Sequence, residues 1–193
     1  MDDITKNEMN FVLTLFKNPK VQYNANSITK ELGISRMGAL KIAKRLEKEE
    51  VITSKELGKA FFYHLNLEND YAKQYLKFLL KREAEHAPSY VRVWLDEIKK
   101  IKSADAAILF GSILKKQKEA QDVDVFLVID SKNYKKVNEE IEEVNSVNNK
   151  KIHPMFQTKE DFTRNIFKED KPLLSAVNGI YVFGEDSLME LLK

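Results

Sequence analysis

The chain has 193 residues, of which 43% are hydrophobic and 32% charged, and its formal net charge is +2. This apolar fraction suffices for packed cores and excludes a globally disordered chain, and the length suits one large domain or two small ones. The absence of cysteine excludes a disulfide scaffold, a thiolate metal site and a cysteine nucleophile. No apolar run approaches the roughly 18 residues needed to span a bilayer, and residues 1–6 are polar and acidic, unlike a signal peptide. We therefore expect a soluble, cytoplasmic protein with no membrane partner.

The low net charge is an average over two different segments. Residues 17–59 hold 10 basic and 5 acidic side chains, whereas residues 102–193 hold 14 basic and 16 acidic ones. A basic front part and an acidic back part indicate that the two have different partners.

The N-terminal part has the pattern of three helices followed by a β-hairpin. Apolar residues at helical spacing predict a helix over residues 6–16, and a short helix over residues 27–32 ends at a turn at Gly33. Ser35 is a suitable N-cap for a longer helix that continues to about residue 49. Aromatic residues around a glycine turn predict a β-hairpin over residues 51–67. This order is the layout of a winged helix-turn-helix.

The longest of these helices separates apolar from basic side chains. With roughly 100° per residue, Ala39, Ala43 and Leu46 fall on one arc of the helix. Cations occupy the opposite arc and the first turn: Arg36, Lys41, Lys44, Arg45 and Lys48. Such a helix suits a polyanion, whose phosphate contacts make binding salt-dependent. The alternative is that the cations only solvate an exposed helix face, and three glutamates near its C-terminal end weaken the positive field.

Residues 28–52 resemble the winged helix-turn-helix of many prokaryotic regulators, and the resemblance covers roughly residues 5–68. It implies that the basic helix binds duplex DNA. The residues expected to contact DNA are Ser35, Arg36, Lys41, Lys44, Arg45 and Lys48. A winged helix used only for protein contacts remains the alternative.

The rest of the chain begins with helices and continues with alternating strands and helices. Residues 71–101 have helical spacing on both sides of Pro88, and they serve as a domain connection, as a homodimer surface, or as both. Continuous apolar residues at 123–129 are typical of a strand covered on both faces. The predicted strands are residues 106–110, 123–129, 151–157 and 181–183, with a charged helix over residues 133–148. This order predicts a small α/β domain.

The most specific pattern lies at the ends of the first two of these strands. Gly111-Ser112 follows the first strand, and Asp122 and Asp124 begin the second after a spacer of nine residues. Carboxylates at positions i and i+2 of a strand point to the same face, and their repulsion favours a cation such as Mg²⁺ beside them. The alternative is that Asp122 caps a strand and Asp124 is merely an exposed polar position.

A phosphate suits the same place in the sequence. Gly111-Ser112 offers backbone N–H groups and a hydroxyl at the start of the predicted helix that follows. Lys115 and Lys116 come one turn later, where an ammonium group helps to neutralise a triphosphate. The pattern therefore favours a nucleotide phosphate next to a metal ion.

The hydrophobe-Gly-Ser motif, its spacer and the Asp-hydrophobe-Asp motif together resemble the nucleotidyltransferase superfamily of the DNA polymerase β type, especially its minimal prokaryotic members. The resemblance covers roughly residues 90–193 and implies a small α/β fold with a mixed sheet. It implies that Gly111 and Ser112 contact nucleotide phosphates and that Asp122 and Asp124 are catalytic and hold Mg²⁺ or Mn²⁺. The implied reaction is attack of an acceptor hydroxyl on the α-phosphorus of a nucleoside triphosphate, with ATP expected, and pyrophosphate leaves.

The sequence departs from that family at three places. Active members usually carry a third carboxylate on the next strand, but residues 151–157 contain no acid. His153, in the middle of that strand, is either a substitute ligand or base, or a structural residue. The helix after Gly-Ser has cations without the glycine that minimal members often have, and Gln121 stands where the family often has Ser. The departures leave open whether the domain is catalytically active.

We predict an α+β protein with two domains and a connector. Their expected bounds are residues 1–69 for the winged helix-turn-helix, 70–101 for the helical connector and 102–193 for the nucleotidyltransferase-like domain. One interpretation is a metal-dependent nucleotidyltransferase that its winged helix places on DNA or on a protein partner. The other is a winged-helix transcriptional regulator, or an antitoxin-like protein, whose second domain is catalytically inactive.

Overall fold

A computed structural model of the chain describes residues 4–192. The polar residues 1–3, which bear on the signal-peptide prediction, lie outside this range. The chain divides into two compact units, Met1–Leu79 and Leu80–Lys193. The domain bounds at residues 69 and 101 stay a prediction. Over residues 4–192, no helix is both long and apolar enough to cross a membrane.

The first unit combines helices with a small antiparallel sheet. Its elements are α1 (Lys6–Lys17), β1 (Tyr23–Asn24), α2 (Ala25–Leu32), α3 (Arg36–Lys48), β2 (Ile52–Leu57), β3 (Ala60–Leu65) and the beginning of α4 (Asp70–Glu85). The strand order is β1-β3-β2, and β3 is antiparallel to both neighbours. The predicted helices and hairpin are confirmed. The strand β1 was not predicted, because two residues are too few to show an alternating pattern.

Local signals in the sequence set the limits of the helices in this unit. The Ser35 hydroxyl accepts a hydrogen bond from the Gly38 N–H at 3.1 Å, so the predicted N-cap of α3 is confirmed. Gly33 ends α2 with a φ of 65°, which lies in the left-handed region. The predicted apolar arc of α3 is buried and packs in a core with other large apolar residues. The fully buried members of that core include Phe11, Ile28, Ala39, Leu46 and Leu76.

The second unit is built on a mixed four-stranded sheet flanked by helices. Its elements are the end of α4, then α5 (Ser89–Ile98), β4 (Ala106–Phe110), α6 (Ile113–Lys116), β5 (Val123–Val128), α7 (Tyr134–Val147), β6 (Ile152–Gln157), α8 (Lys159–Phe167), α9 (Lys171–Val177), β7 (Ile180–Phe183) and α10 (Glu185–Leu191). The strand order is β6-β5-β4-β7. β5 and β6 are parallel, whereas β4 is antiparallel to β5 and β7. The predicted strands are confirmed within a residue at each end.

Both faces of the central strand β5 are covered, as its continuous apolar sequence predicts. Val125 and Leu127 join the core that contains Trp94 of α5. On the opposite face, the ring of Phe126 lies 5.7 Å from that of Phe162 in α8. Asp124 is the one residue of β5 that is not buried. A carboxylate therefore interrupts a strand whose other positions all belong to the interior.

Candidate functional site

Two aspartates and a histidine meet at the beginning of β5. Asp122 lies in the bend immediately before the strand, and Asp124 is the second residue of the strand. Parallel pairing of β5 with β6 places His153 beside Asp124, and its Nδ1 lies 3.3 Å from Asp124 Oδ1. One ligand atom from each of the three residues lies within 4.8 Å of the others. We call these three residues the Asp–His cluster.

Gly111 adjoins the cluster because of the strand pairing on the other side of β5. Phe110 pairs with Asp124 across β4 and β5, so the next residue faces the carboxylate. Gly111 has a φ of 80°, and a Cβ there would lie 2.8 Å from Asp124 Cγ and closer still to Oδ2. Glycine is therefore required both by the backbone conformation and by the approach of the carboxylate. The Gly-Ser motif and the aspartate pair, nine residues apart in sequence, are adjacent in space.

The Gly-Ser turn also borders an open groove of about 470 Å³. Ser112, Lys115 and Lys116 line this groove together with Gly111. The two aspartates are not among its lining residues, so Gly111 lies between the groove and the Asp–His cluster. The helix expected after Gly-Ser is the single turn α6, of four residues. Any phosphate binding here would depend on local N–H groups, the Ser112 hydroxyl and lysines, because so short a helix has little dipole.

Helix α9 and the residues after it also line the groove, which the sequence did not indicate. Ser175 and Asn178 lie about one turn apart on and just after α9, and both line the groove. Gly179 allows this approach, since a Cβ there would lie 2.9 Å from Ile108 Cγ2 and Phe110 Cβ in β4. No local motif distinguishes these two polar residues.

The donor set of the Asp–His cluster fits a divalent cation. It offers two carboxylates and an imidazole, which are common protein ligands for such ions. Within residues 4–192, the cluster contains no third carboxylate. The nearby acids Glu160 and Asp161 lie instead in the first turn of α8, which Thr158 caps.

Most of the cations predicted to contact DNA are exposed on α3. Ser35, Arg36, Lys41, Lys44 and Lys48 are all exposed. Two apolar side chains lie on the same surface: Met37 is 76% exposed and Leu40 is 39% exposed. Together with Lys41 and Lys44 they line a shallow groove of about 460 Å³. The surface thus combines positive charge with apolar area.

Arg45 differs from the other cations because its guanidinium pairs with carboxylates of the same unit. Its Nη1 lies 3.1 Å from Glu8 Oε2, and its Nε donates to Glu49 Oε1 at 3.1 Å. Glu8 is only 2% exposed, and its Oε1 accepts a hydrogen bond of 2.8 Å from the Tyr75 hydroxyl. Burial, followed by the bond to Glu8, raises the pKa of Tyr75. Arg45 therefore joins α1, α3 and α4, a role that its position on the helical wheel did not reveal.

Comparisons with known proteins agree with the geometry of the second unit. Residues 95–179 match the family described as "Polymerase beta, Nucleotidyltransferase". The match supports the nucleotidyltransferase-fold domain that the motifs predict in this region, and proteins of that family usually use divalent metal ions.

The other comparisons add little. The crystal structure of AF1382 from Archaeoglobus fulgidus aligns with 41% of this chain and 82% of its own, at 11% identity. Its TM-score of 0.34 is too low to indicate a shared fold. A comparison with curated proteins gives no match.

Proposed function

We propose that the second unit binds a nucleoside triphosphate with a divalent cation and transfers its nucleoside monophosphate to an acceptor hydroxyl. ATP is the first candidate for the nucleotide, and Mg²⁺ or Mn²⁺ for the ion. The observation that carries the proposal is the contact between Gly111 and the Asp124 carboxylate. It joins a phosphate-binding turn to a metal-binding pair, and the reaction needs both at one place.

The residues of the site have separate roles in this proposal. Asp122 and Asp124 hold the cation, and the Gly111 and Ser112 N–H groups with the Ser112 hydroxyl bind phosphate oxygens. Lys115 lines the same groove, so its ammonium group offsets part of the triphosphate charge. The groove of about 470 Å³ offers room for part of a nucleotide beside this turn.

The reaction is an in-line displacement at the α-phosphorus. A bond forms between the acceptor oxygen and phosphorus, the bond to the α–β bridging oxygen breaks, and pyrophosphate leaves. The acceptor hydroxyl loses its proton to a base at the site. A bound divalent cation would supply charge stabilisation for the attacking and leaving oxygens. This chain's own contribution is to orient the triphosphate along the Gly-Ser turn and to keep two carboxylates beside it.

For the first unit, we propose a winged helix-turn-helix that binds duplex DNA through α3. Its support is the exposure of Arg36, Lys41, Lys44 and Lys48 on the helix that precedes the β-hairpin. Ser35 and Arg45 belong to the same proposed surface. Because Arg45 is paired with Glu8 and Glu49, we expect it to support α3 more than to contact phosphate. In this proposal, DNA or a protein bound to it brings the transferase domain to its acceptor.

A second candidate function is a DNA-binding regulator, or an antitoxin-like protein, that binds nucleotide without turnover. The observation that favours it is His153, which lies where active members of the family usually have a third carboxylate. Loss of that acid is compatible with retained nucleotide binding and lost transfer. The two candidates therefore differ in chemistry and not in the location of the site.

Incubation with α-labelled nucleoside triphosphates, Mg²⁺ or Mn²⁺, and candidate RNA and protein acceptors tests the proposal. We expect label to be transferred by the natural chain and not by the double variant Asp122→Asn, Asp124→Asn. Glu142→Gln with Glu143→Gln makes the same charge change on the exposed surface of α7 and should leave transfer intact. No transfer, together with aspartate-dependent thermal stabilisation by nucleotide and metal, would establish the second candidate. Absence of both effects would exclude either function for this site.

A further inference from the structure

We propose that His153 is a third metal ligand beside Asp122 and Asp124, and that the site consequently prefers a first-row transition ion such as Mn²⁺ to Mg²⁺. The inference rests on the proposed function and specifies which ion its site takes. It gives His153 a role that a carboxylate has in other proteins of the family. The alternative is a histidine that only forms a hydrogen bond with Asp124.

The sheet fixes the position of His153 relative to both aspartates. The parallel register pairs Asp124 with His153, and β5 and β6 form six consecutive pairs from Val123–Ile152 to Val128–Gln157. Side chains paired in this way lie on the same face of the sheet. Asp122 lies in the bend just before β5, and its carboxylate reaches the same place, within 4.8 Å of the ligand atoms of the other two residues. The strand pairing therefore places Asp124 beside His153, and the bend before β5 adds Asp122.

The exposure of His153 favours a ligand over a packing role. Its side chain is 74% exposed, whereas that of Asp124 is 23% exposed. A histidine that stabilised the core would be buried against apolar neighbours. Here the imidazole meets a carboxylate and is otherwise largely open to solvent, so an ion can reach both groups.

The distances suit a shared ion after small side-chain rotations. Two ligands that each lie about 2.1 Å from one ion are at most about 4.2 Å apart. The 3.3 Å between His153 Nδ1 and Asp124 Oδ1 is already inside this limit. The ligand atoms of the whole cluster lie within 4.8 Å, which exceeds the limit only slightly. Asp122 is exposed just before β5, so packed neighbours do not enclose its carboxylate.

The chemistry of the donors then determines the choice of ion. Mg²⁺ is a hard ion that takes oxygen ligands almost exclusively and keeps several waters. Imidazole nitrogen suits first-row transition ions, while carboxylates also suit Mn²⁺. Exchanging one carboxylate for an imidazole thus weakens binding of Mg²⁺ more than binding of Mn²⁺. The exchange also removes one negative charge from the site. This disfavours Mg²⁺, which carboxylates hold mainly by charge.

Mn²⁺ titration of the full chain, followed by electron paramagnetic resonance, tests the inference without any turnover. Modulation from a directly bound ¹⁴N nucleus should appear in the natural chain and vanish in His153→Asp. The ratio of the Mg²⁺ to the Mn²⁺ dissociation constant should fall by roughly tenfold in the same variant, because loss of groups around a metal commonly costs that much or more. His153→Ala should weaken Mn²⁺ binding without improving Mg²⁺ binding.

The chain provides its own controls. His64 and His86 are exposed and lie on β3 and just after α4, so His64→Ala and His86→Ala should keep the nitrogen signal. Mn²⁺ binding that depends on the aspartates but shows no nitrogen signal would overturn the role of His153 and leave the proposed function standing. A nitrogen signal that persists in His153→Asp would overturn it as well. Failure of any divalent ion to bind the natural chain would overturn both proposals.

Discussion

The carboxylate of Asp124 occupies the space that a side chain at position 111 would need, with Cγ only 2.8 Å from an ideal Cβ on Gly111. Gly111 directly follows Phe110, which pairs with Asp124 in the antiparallel β4–β5 ladder. The strand pairing itself therefore produces the contact. A glycine thereby permits the proposed metal-binding carboxylate and the proposed phosphate-binding turn to lie at one edge of the sheet. The function of this residue is steric, and it can be tested separately from any chemistry.

Gly111→Ala should destroy the site and also lower stability. The new methyl group would displace the Asp124 carboxylate, and the φ of 80° would add strain of about 1–3 kcal/mol. We expect thermal stabilisation by Mn²⁺ with ATP to disappear. Gly58→Ala is the matched control: its φ is 65°, but a Cβ there meets nothing within 4 Å. That variant should lose about 1 kcal/mol and keep the response to ligand, as differential scanning calorimetry would measure. An unchanged ligand response in Gly111→Ala would contradict the assignment.

Ser175 should contribute to nucleotide affinity, because it lines the same groove as the Gly-Ser turn. Ser175→Ala removes one hydroxyl and should weaken ATP binding by about fivefold, which corresponds to a hydrogen bond of about 1 kcal/mol. Isothermal titration calorimetry with a non-hydrolysable ATP analogue and Mn²⁺ measures this change. Ser146→Ala on α7 removes an equally exposed hydroxyl away from the groove and should have no effect. Equal affinities for the two variants would remove α9 from the binding site.

Duplex DNA binding by the first unit should depend steeply on salt. Each phosphate contact contributes about 0.9 to the slope of log K against log salt concentration, so Lys41→Ala with Lys44→Ala should reduce the slope by about 2. Fluorescence anisotropy at several salt concentrations measures the slope. Lys135→Ala with Lys136→Ala removes the same charge from exposed positions on α7 and should leave the slope unchanged. Salt-independent binding, or no binding by the natural chain, would refute the assignment.

Much of the fold could be predicted because its signals are local. The N-cap at Ser35, the aromatic hairpin and the apolar run of β5 each lie within a few residues. The meeting of Gly111 with Asp124 could also be foreseen, since Gly111 follows one strand and Asp124 lies at the beginning of the next. The cap, the hairpin and the apolar run depend on neighbouring residues along the chain, so they can be recognised without knowledge of tertiary packing.

The features that sequence could not supply all depend on contacts between distant segments. Ser175 reaches the groove only because Gly179 lets the end of α9 lie against β4. The helical wheel placed Arg45 among the DNA-binding cations, but its partner Glu8 lies on another helix. Asp124 and His153 become neighbours through a parallel crossover, whose register no short motif records.

Glu8 should be important for the stability of the first unit. Its buried carboxylate accepts from Tyr75 and pairs with Arg45, so Glu8→Gln leaves the guanidinium without its buried countercharge. Because the Arg45 side chain is 28% exposed, water compensates in part, and we expect a loss of about 1–3 kcal/mol rather than the larger cost of a fully buried pair. Urea unfolding followed by circular dichroism measures it. Glu56→Gln on the exposed face of β2 should change stability by less than about 0.5 kcal/mol. A neutral Glu8→Gln would mean that the network contributes nothing.

Stability should also fall at alkaline pH, through Tyr75. Burial foremost, and the hydrogen bond to Glu8 next, raise its pKa above the ordinary value of 10.0. Because the folded state favours the neutral phenol, this contribution is complete below pH 10 and is lost as the pH rises toward the folded-state pKa.

Tyr75→Phe should therefore be less stable than the natural chain at neutral pH, by about 1 kcal/mol, and the difference should shrink above about pH 10. Urea midpoints between about pH 8 and about pH 11 measure the two slopes. Tyr71→Phe, on the same helix but with a side chain that is 51% exposed, should follow the natural chain throughout. Some alkaline loss will remain in Tyr75→Phe, since burial also raises the pKa of Tyr23 and Tyr63. Parallel curves for the natural chain and Tyr75→Phe would show that folding does not raise the pKa of Tyr75.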